Sequence, residues 1–166
     1  MIKLIVLDVD GCLSDGKLIY SHDDIESKNF NVKDGLGITT WIKMGNQVAI
    51  ITGRNSKIVE KRANELGVQH LFQGIRDKDV VLRELIQSLD IKFYEVGAIG
   101  DDLNDYGMLS KVGRSFTPKD GVEDVKKLVD TVLTRCGGDG AVREMIDILV
   151  NENDQKDMFL SVWIKG

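Results

Sequence analysis

The strongest constraint on the fold is an alternation of short apolar runs with longer amphipathic stretches. The runs occupy residues 2–7, 47–51, 70–72 and 95–99, with weaker ones at 114–116 and 131–133. Several are dense in Val and Ile without a polar residue at every second position. That pattern suits strands buried on both faces, as in a parallel sheet covered by helices. Between them, residues 57–66 place Ile58, Val59, Arg62, Ala63 and Leu66 at helical spacing, and residues 79–89 do so with Val81, Leu82, Leu85, Ile86 and Leu89. Strand–helix alternation with short connections predicts an α/β fold, a Rossmann-like three-layer sandwich with a mostly parallel central sheet. With 166 residues, the chain is one ordinary domain, expected over residues 1–150.

Two segments depart from the alternation. Residues 17–32 read as two short strands around a polar turn, a β-hairpin inserted after the first strand. Residues 151–166 begin polar and end Met158-Phe159-Leu160-Ser161-Val162-Trp163-Ile164. A terminus this apolar is expected to dock on its own domain or on a neighbouring subunit.

Composition narrows the function. Acidic residues outnumber basic ones, 27 to 22, and no basic block occurs, so nucleic acid is not an expected partner. No apolar stretch approaches the length of a membrane helix, and the N-terminal apolar run is too short for a signal peptide. Two cysteines, Cys12 and Cys136, make no disulfide framework, which fits a reducing cytoplasm.

In open α/β sheets, ligands bind beyond the carboxyl ends of the strands. Each strand here is followed by a polar cluster: Asp8-Val9-Asp10-Gly11, Thr52-Gly53-Arg54, Arg76-Asp77-Lys78 and Gly100-Asp101-Asp102-Leu103-Asn104-Asp105. Any one could be a turn. Four delivered to one rim imply a site. Asp8 and Asp10, at i and i+2 in extended chain, point the same way, and Asp101 and Asp102 add further negative charge. Converging carboxylates repel unless a cation or a shared proton intervenes, and a hard divalent ion such as Mg²⁺ suits them. An EF-hand is excluded, because Gly11 is fourth from Asp8 rather than sixth. Thr52 and Lys78 supply a hydroxyl and a cation for a phosphate. Carboxylate nucleophile, divalent ion, lysine and hydroxyl together describe phosphoryl transfer through an aspartyl-phosphate, with a second aspartate as acid and base.

With the run Asp8-Val9-Asp10-Gly11-Cys12-Leu13-Ser14-Asp15-Gly16, these motifs resemble, in order, the four motifs of the haloacid dehalogenase superfamily of phosphatases. Phe30-Asn31-Val32-Lys33-Asp34-Gly35-Leu36-Gly37-Ile38 and Gly137-Gly138-Asp139-Gly140-Ala141-Val142-Arg143-Glu144 extend the likeness to its capless branch acting on 3-deoxy-D-manno-octulosonate (Kdo) 8-phosphate. The resemblance implies Asp8 as nucleophile and Asp10 as general acid/base, with Thr52 and Lys78 holding the phosphoryl group. It implies Mg²⁺ on Asp8, the Asp10 backbone carbonyl and Asp101, with Asp102 and Asp105 supporting the metal and Lys78. Substrate contacts would come from Asn31, Val32, Lys33, Asp34, Gly35, Gly53, Arg54, Arg62 and Lys78. It further implies a phosphorylated sugar-acid substrate and a homotetramer whose hairpins meet centrally. Three alternatives stay open: a phosphatase for nine-carbon sugar-acid 9-phosphates, a non-catalytic lobe of the same fold, and a receiver-type signalling domain. Thr39 and Asp139, standing where relatives carry basic residues, bear on the first. Phosphate release discriminates the second. A receiver places its acidic pair after the first strand, whereas here the pair comes last.

Overall fold

A computed structural model describes residues 1–23 and 25–164. Asp24, in the turn expected of the hairpin, and residues 165 and 166, in the expected tail, lie outside the described residues. Six strands form one parallel sheet: β1 (Leu4–Leu7), β4 (Gln47–Ile51), β5 (His70–Phe72), β6 (Val96–Ile99), β7 (Arg114–Thr117) and β8 (Thr131–Val132). Their order is β5-β4-β1-β6-β7-β8, with β1 central and in register with β4 and β6 (Leu7 opposite Ile50 and Ile99). The two remaining strands, β2 (Ile19–Tyr20) and β3 (Glu26–Ser27), pair antiparallel as a separate hairpin between β1 and the first helix.

Every residue of β1 is buried, and its side chains alternate between two cores. Ile5 and Leu7 join a cluster with Ile38 and Trp41 of α1 (Val32–Lys43), Val59 and Ala63 of α2 (Lys57–Leu66), and Met145 and Leu149 of α6 (Ala141–Glu152). Leu4 and Val6 face the other way, onto Leu82 and Ile86 of α3 (Lys78–Ser88), Met108 of α4 (Tyr106–Leu109) and Val125 of α5 (Glu123–Lys126). The period of two along the strand thus supplies both faces of a three-layer sandwich. No cap domain stands over the strand ends among the described residues.

Residues 141–164 run through α6 and α7 (Lys156–Ser161), with Phe159 buried in the first cluster. Trp163 Nε1 donates to Thr40 Oγ1 at 2.8 Å, and Lys43 Nζ lies over its ring. No helix among the described residues is long and apolar enough to cross a membrane.

Candidate active site

Parallel register brings the ends of β1, β4 and β6 to one rim, and the turns leaving them carry the chemistry. Asp8 immediately follows β1 and is buried; its N–H donates to the carbonyl of Ile99 of β6 at 3.2 Å. Thr52 immediately follows β4; its N–H donates to the carbonyl of Phe72 on β5, and its own carbonyl accepts from the Ile75 N–H. The 3-10 turn Leu103–Asp105 follows β6, with Asp102 capping it through the Leu103 N–H. A cavity of about 190 Å³ opens between them, lined by Asp8, Asp10, Thr52, Gly53, Arg54, Asp101, Asp102 and Asn104.

Lys78 lies beneath this cavity. Asp77 caps α3 through the Val80 N–H, which makes Lys78 the first helical residue and turns it inward. Its side chain is fully buried, with Nζ 2.5 Å from Asp8 Oδ1 and 2.6 Å from Asp105 Oδ1. The other oxygen of Asp105 accepts from the backbone N–H of Asp101 at 3.1 Å and of Asp102 at 3.5 Å. Asp105 therefore ties the lysine to the acidic turn, as a satisfied buried carboxylate should. Burial alone would lower the Lys78 pKa, but Asp8 and Asp105 hold it above the usual lysine range.

Negative charge exceeds positive charge in this core. Burial pushes the Asp8 carboxyl up, and repulsion from Asp105 adds to it against the pull of Lys78. Asp101 is pushed up to about 7, first by burial, then by Asp105 and Asp102. A divalent cation would relieve both. Carboxylate oxygens of Asp8 and Asp101 lie with Cys12 Sγ within 4.8 Å of one another. Burial keeps the Cys12 thiol protonated and hence a poor ligand for a hard ion, so the two carboxylates are the fitting donors. The Asp10 carboxylate is not in that group. Its Oδ1 accepts instead from Lys28 of the hairpin, Nζ at 2.5 Å, while the residue still lines the cavity.

Two glycines permit this packing. Gly11 has φ +102°, and a Cβ there would stand 2.0 Å from Asp101 Oδ2. Gly137 lies against the same loop, where a Cβ would meet the Gly11 carbonyl oxygen at 1.8 Å. The Gly137–Gly138 segment thus forms the back wall of the loop carrying Asp8 and Asp10, and the Gly138 N–H donates to the Cys12 carbonyl.

Of the residues expected to hold substrate, Gly53 and Arg54 line the cavity and Lys78 lies under it. Asn31, Val32, Lys33, Asp34, Gly35 and Arg62 do not line it. Val32, Gly35 and Arg62 share a separate groove with Thr39, Leu66 and Trp163 between α1 and α2. Asn31 caps α1 through the Lys33 N–H. Asp34 departs from the expectation in its side chain: it is fully buried, and Oδ1 accepts from the Arg143 N–H at 2.7 Å at the start of α6. A carboxylate turned into the α1–α6 interface pins a helix rather than facing a ligand.

Sequence reasoning passed over Lys28, Glu26, Tyr20 and Ser56. Arg54 Nη2 donates to the Tyr20 hydroxyl at 2.9 Å, and Ser56 Oγ donates to Glu26 Oε2 at 2.7 Å, which docks the hairpin onto the cavity rim. The one signal was the Glu26-Ser27-Lys28 spacing, which puts opposite charges on one face of a strand. Asn104 lay inside a recognised motif without a role.

This arrangement of DxD loop, threonine, buried lysine and acidic turn defines a phosphoryl-transfer site on a Rossmann-like sheet. A family model described as haloacid dehalogenase-like hydrolase matches residues 73–146. The chain is 42% identical over 154 residues to the 3-deoxy-D-manno-octulosonate 8-phosphate phosphatase KdsC of Yersinia pestis, covering 93% of this chain and 82% of that protein. The Escherichia coli K12 enzyme of the same name is 42% identical over 149 residues, covering 90% and 79%. A solved structure of the Moraxella catarrhalis 3-deoxy-D-manno-octulosonate 8-phosphate phosphatase, in complex with magnesium, phosphate and Kdo, superposes with TM-score 0.94 at 39% identity, covering 98% of this chain and 94% of that one. The chain belongs to the haloacid dehalogenase-like hydrolases. Within that class it falls with the Kdo 8-phosphate phosphatases.

Proposed function

We propose that this chain is a magnesium-dependent phosphoric monoester hydrolase that converts Kdo 8-phosphate to Kdo and phosphate, a step in making lipopolysaccharide precursors. The observation that carries the reading is Lys78, buried between Asp8 and Asp105 under a cavity lined by Asp8, Asp10, Thr52 and Asp101. A lysine in that place fixes one nucleophile oxygen and presents positive charge to a phosphoryl group above it.

In this reading Asp8 attacks phosphorus, and the P–O bond to the sugar breaks as the Asp8–P bond forms. Asp10 gives its proton to the departing alcohol, then takes one from the water that hydrolyses the aspartyl-phosphate. Thr52 and Lys78 hold the phosphoryl oxygens. Asp8, Asp101 and the Asp10 backbone carbonyl would hold Mg²⁺, with Asp102 and Asp105 behind them. The ion's contribution, when bound, is to neutralise charge on the transferring group. Arg54, at the cavity mouth, suits the sugar-acid carboxylate.

The single domain of residues 1–150, a homotetramer and a cytoplasmic location complete the reading. Exposed Leu18, Ile19 and Ile25 on the hairpin support assembly between copies. Asn31, Val32, Lys33, Gly35 and Arg62 then act as an outer substrate surface shared between subunits, with the tail over the adjoining groove. The test is phosphate release from Kdo 8-phosphate with and without Mg²⁺, with nine-carbon sugar-acid 9-phosphates in parallel and Asp8→Asn as the blank. Magnesium-dependent release preferring Kdo 8-phosphate and abolished in the variant is expected. Preference for a nine-carbon ester would overturn the substrate, and no release from any ester would overturn the activity.

A further inference from the structure

One side chain of the inserted hairpin reaches the loop after β1 and contacts Asp10. Lys28 follows β3, and its side chain is 1% exposed. A lysine gives up rotamer freedom and hydration on burial, so one buried this far needs partners. It has two: Asp10 Oδ1 at 2.5 Å and Glu26 Oε1 at 3.2 Å. Glu26 is itself fixed by Ser56 Oγ, at the start of α2. Hairpin, Asp10 and α2 are thus joined by one run of polar contacts.

The consequence falls on the two oxygens of Asp10. Oδ1 is anchored by Lys28. Oδ2 lies 3.9 Å from Arg54 Nε, beyond hydrogen-bond reach. A carboxyl gripped by one oxygen presents the other in a fixed direction, and here Asp10 lines the cavity shared with Asp8 and Thr52. Without the grip, a carboxyl on two rotatable bonds would sample several directions.

We propose that Lys28 is a positioning residue for proton transfer: by anchoring Asp10 Oδ1 it aims Oδ2 at the ester oxygen of the departing alcohol. This rests on the reading of Asp10 as the acid given above. As the Asp8–P bond forms and the ester P–O bond breaks, the proton on Oδ2 passes to the ester oxygen. The alcohol leaves neutral, Asp10 is left as a carboxylate, and Lys28 keeps its protons throughout. The insert then serves the chemistry as well as the shape of the site.

The test compares two leaving groups. An alkyl ester needs its oxygen protonated on departure, whereas p-nitrophenolate leaves as the anion. The ratio kcat/KM reports only steps up to that departure, so later hydrolysis of the aspartyl-phosphate does not enter it. Kdo 8-phosphate and ribose 5-phosphate serve as alkyl esters, and p-nitrophenyl phosphate as the aryl ester. Lys28→Met is expected to lower kcat/KM on the alkyl esters by on the order of 10²-fold and on the aryl ester by less than about threefold, since only the proton-transfer advantage is lost. Asp10→Asn should show the same selectivity with a larger loss. Lys28→Gln keeps a donor of nearly the same reach and should fall between wild type and Met. It also carries the comparison if the Met variant does not fold. Equal losses on both ester types in the Lys28 variants, with Asp10→Asn still selective, would overturn the role of Lys28 alone. Equal losses in Asp10→Asn would overturn the reading of Asp10 and the proposal with it.

Discussion

Asp34 offers a sharp test of how the two helices on one face of the sheet are joined. Its carboxylate is fully buried where α1 packs on α6; Oδ1 accepts from the Arg143 N–H, while Oδ2 has no partner among the described residues. Burial pushes this carboxyl up to about 6 from the ordinary 3.8, against the lowering effect of the Arg143 and Gly140 N–H groups and with a further push from Asp139. Between those two values the folded chain holds a proton that the unfolded chain has released. Stability from this group is therefore full below about pH 4 and is lost as pH rises through about 6. At roughly 1.36 kcal/mol per pH unit, ionised Asp34 costs the fold about 3 kcal/mol at pH 7.5. Asp34→Asn keeps the acceptor for Arg143 and removes the charge, at the expense of an unpaired amide N–H in place of the unpaired oxygen. The expected gain is about 2 kcal/mol at pH 7.5 and close to none at pH 4.5. Urea denaturation of both proteins at the two pH values and one protein concentration measures it, as a rise in midpoint with unchanged slope. A difference between variant and wild type that is the same at both pH values would refute the argument, whatever its sign.

Three further outcomes follow from the site. Lys78→Met leaves the Asp8 and Asp105 carboxylates facing each other without a cation, so chemical denaturation at neutral pH should show a loss of about 3–5 kcal/mol that shrinks as the solution is acidified. Because the Asp8 and Asp101 carboxyls are pushed up, protons compete with a divalent ion for them. Calorimetric Mg²⁺ affinity should accordingly rise by roughly tenfold per pH unit, for each proton displaced, between pH 6 and 8, and a flat profile would contradict the pairing of these two groups. Gly137→Ala forces a Cβ toward the Gly11 carbonyl oxygen at 1.8 Å, and should lower stability by about 1–3 kcal/mol and turnover with it, as read by thermal melting and phosphate release.

Much of the sheet was legible because its strands are apolar blocks bounded by polar turns. β4, β5 and α2 fall where periodicity puts them, at 47–51, 70–72 and 57–66. β1 is shorter than its apolar run, since the Ile2 N–H leaves the ladder for Asn153 Oδ1. β6 starts late because Glu95 belongs to a 3-10 turn and pairs with Lys3. The motif residues at the strand ends converge because parallel register leaves them nowhere else to go. Lys28 and Asp34 were illegible for the opposite reason. Their roles come from a hairpin folding back onto the loop after β1, and from a carboxylate meeting a helix start 109 positions along the chain. No local spacing encodes either contact. The short helices α4 and α5, four residues each, also lack the length for a periodic signal.

The contact between Gly11 and Gly137 ties two distant stretches of the chain. The loop carrying Asp8 and Asp10 lies far ahead, along the chain, of the Gly137–Gly138 segment that walls it. β1 likewise has one edge paired by β4 and the other only by β6, later in the chain. A growing chain therefore carries Asp8 and Asp10 before it carries the segment that walls their loop. The carboxylates, the buried lysine and the back wall are thus brought together only by contacts between distant parts of the chain.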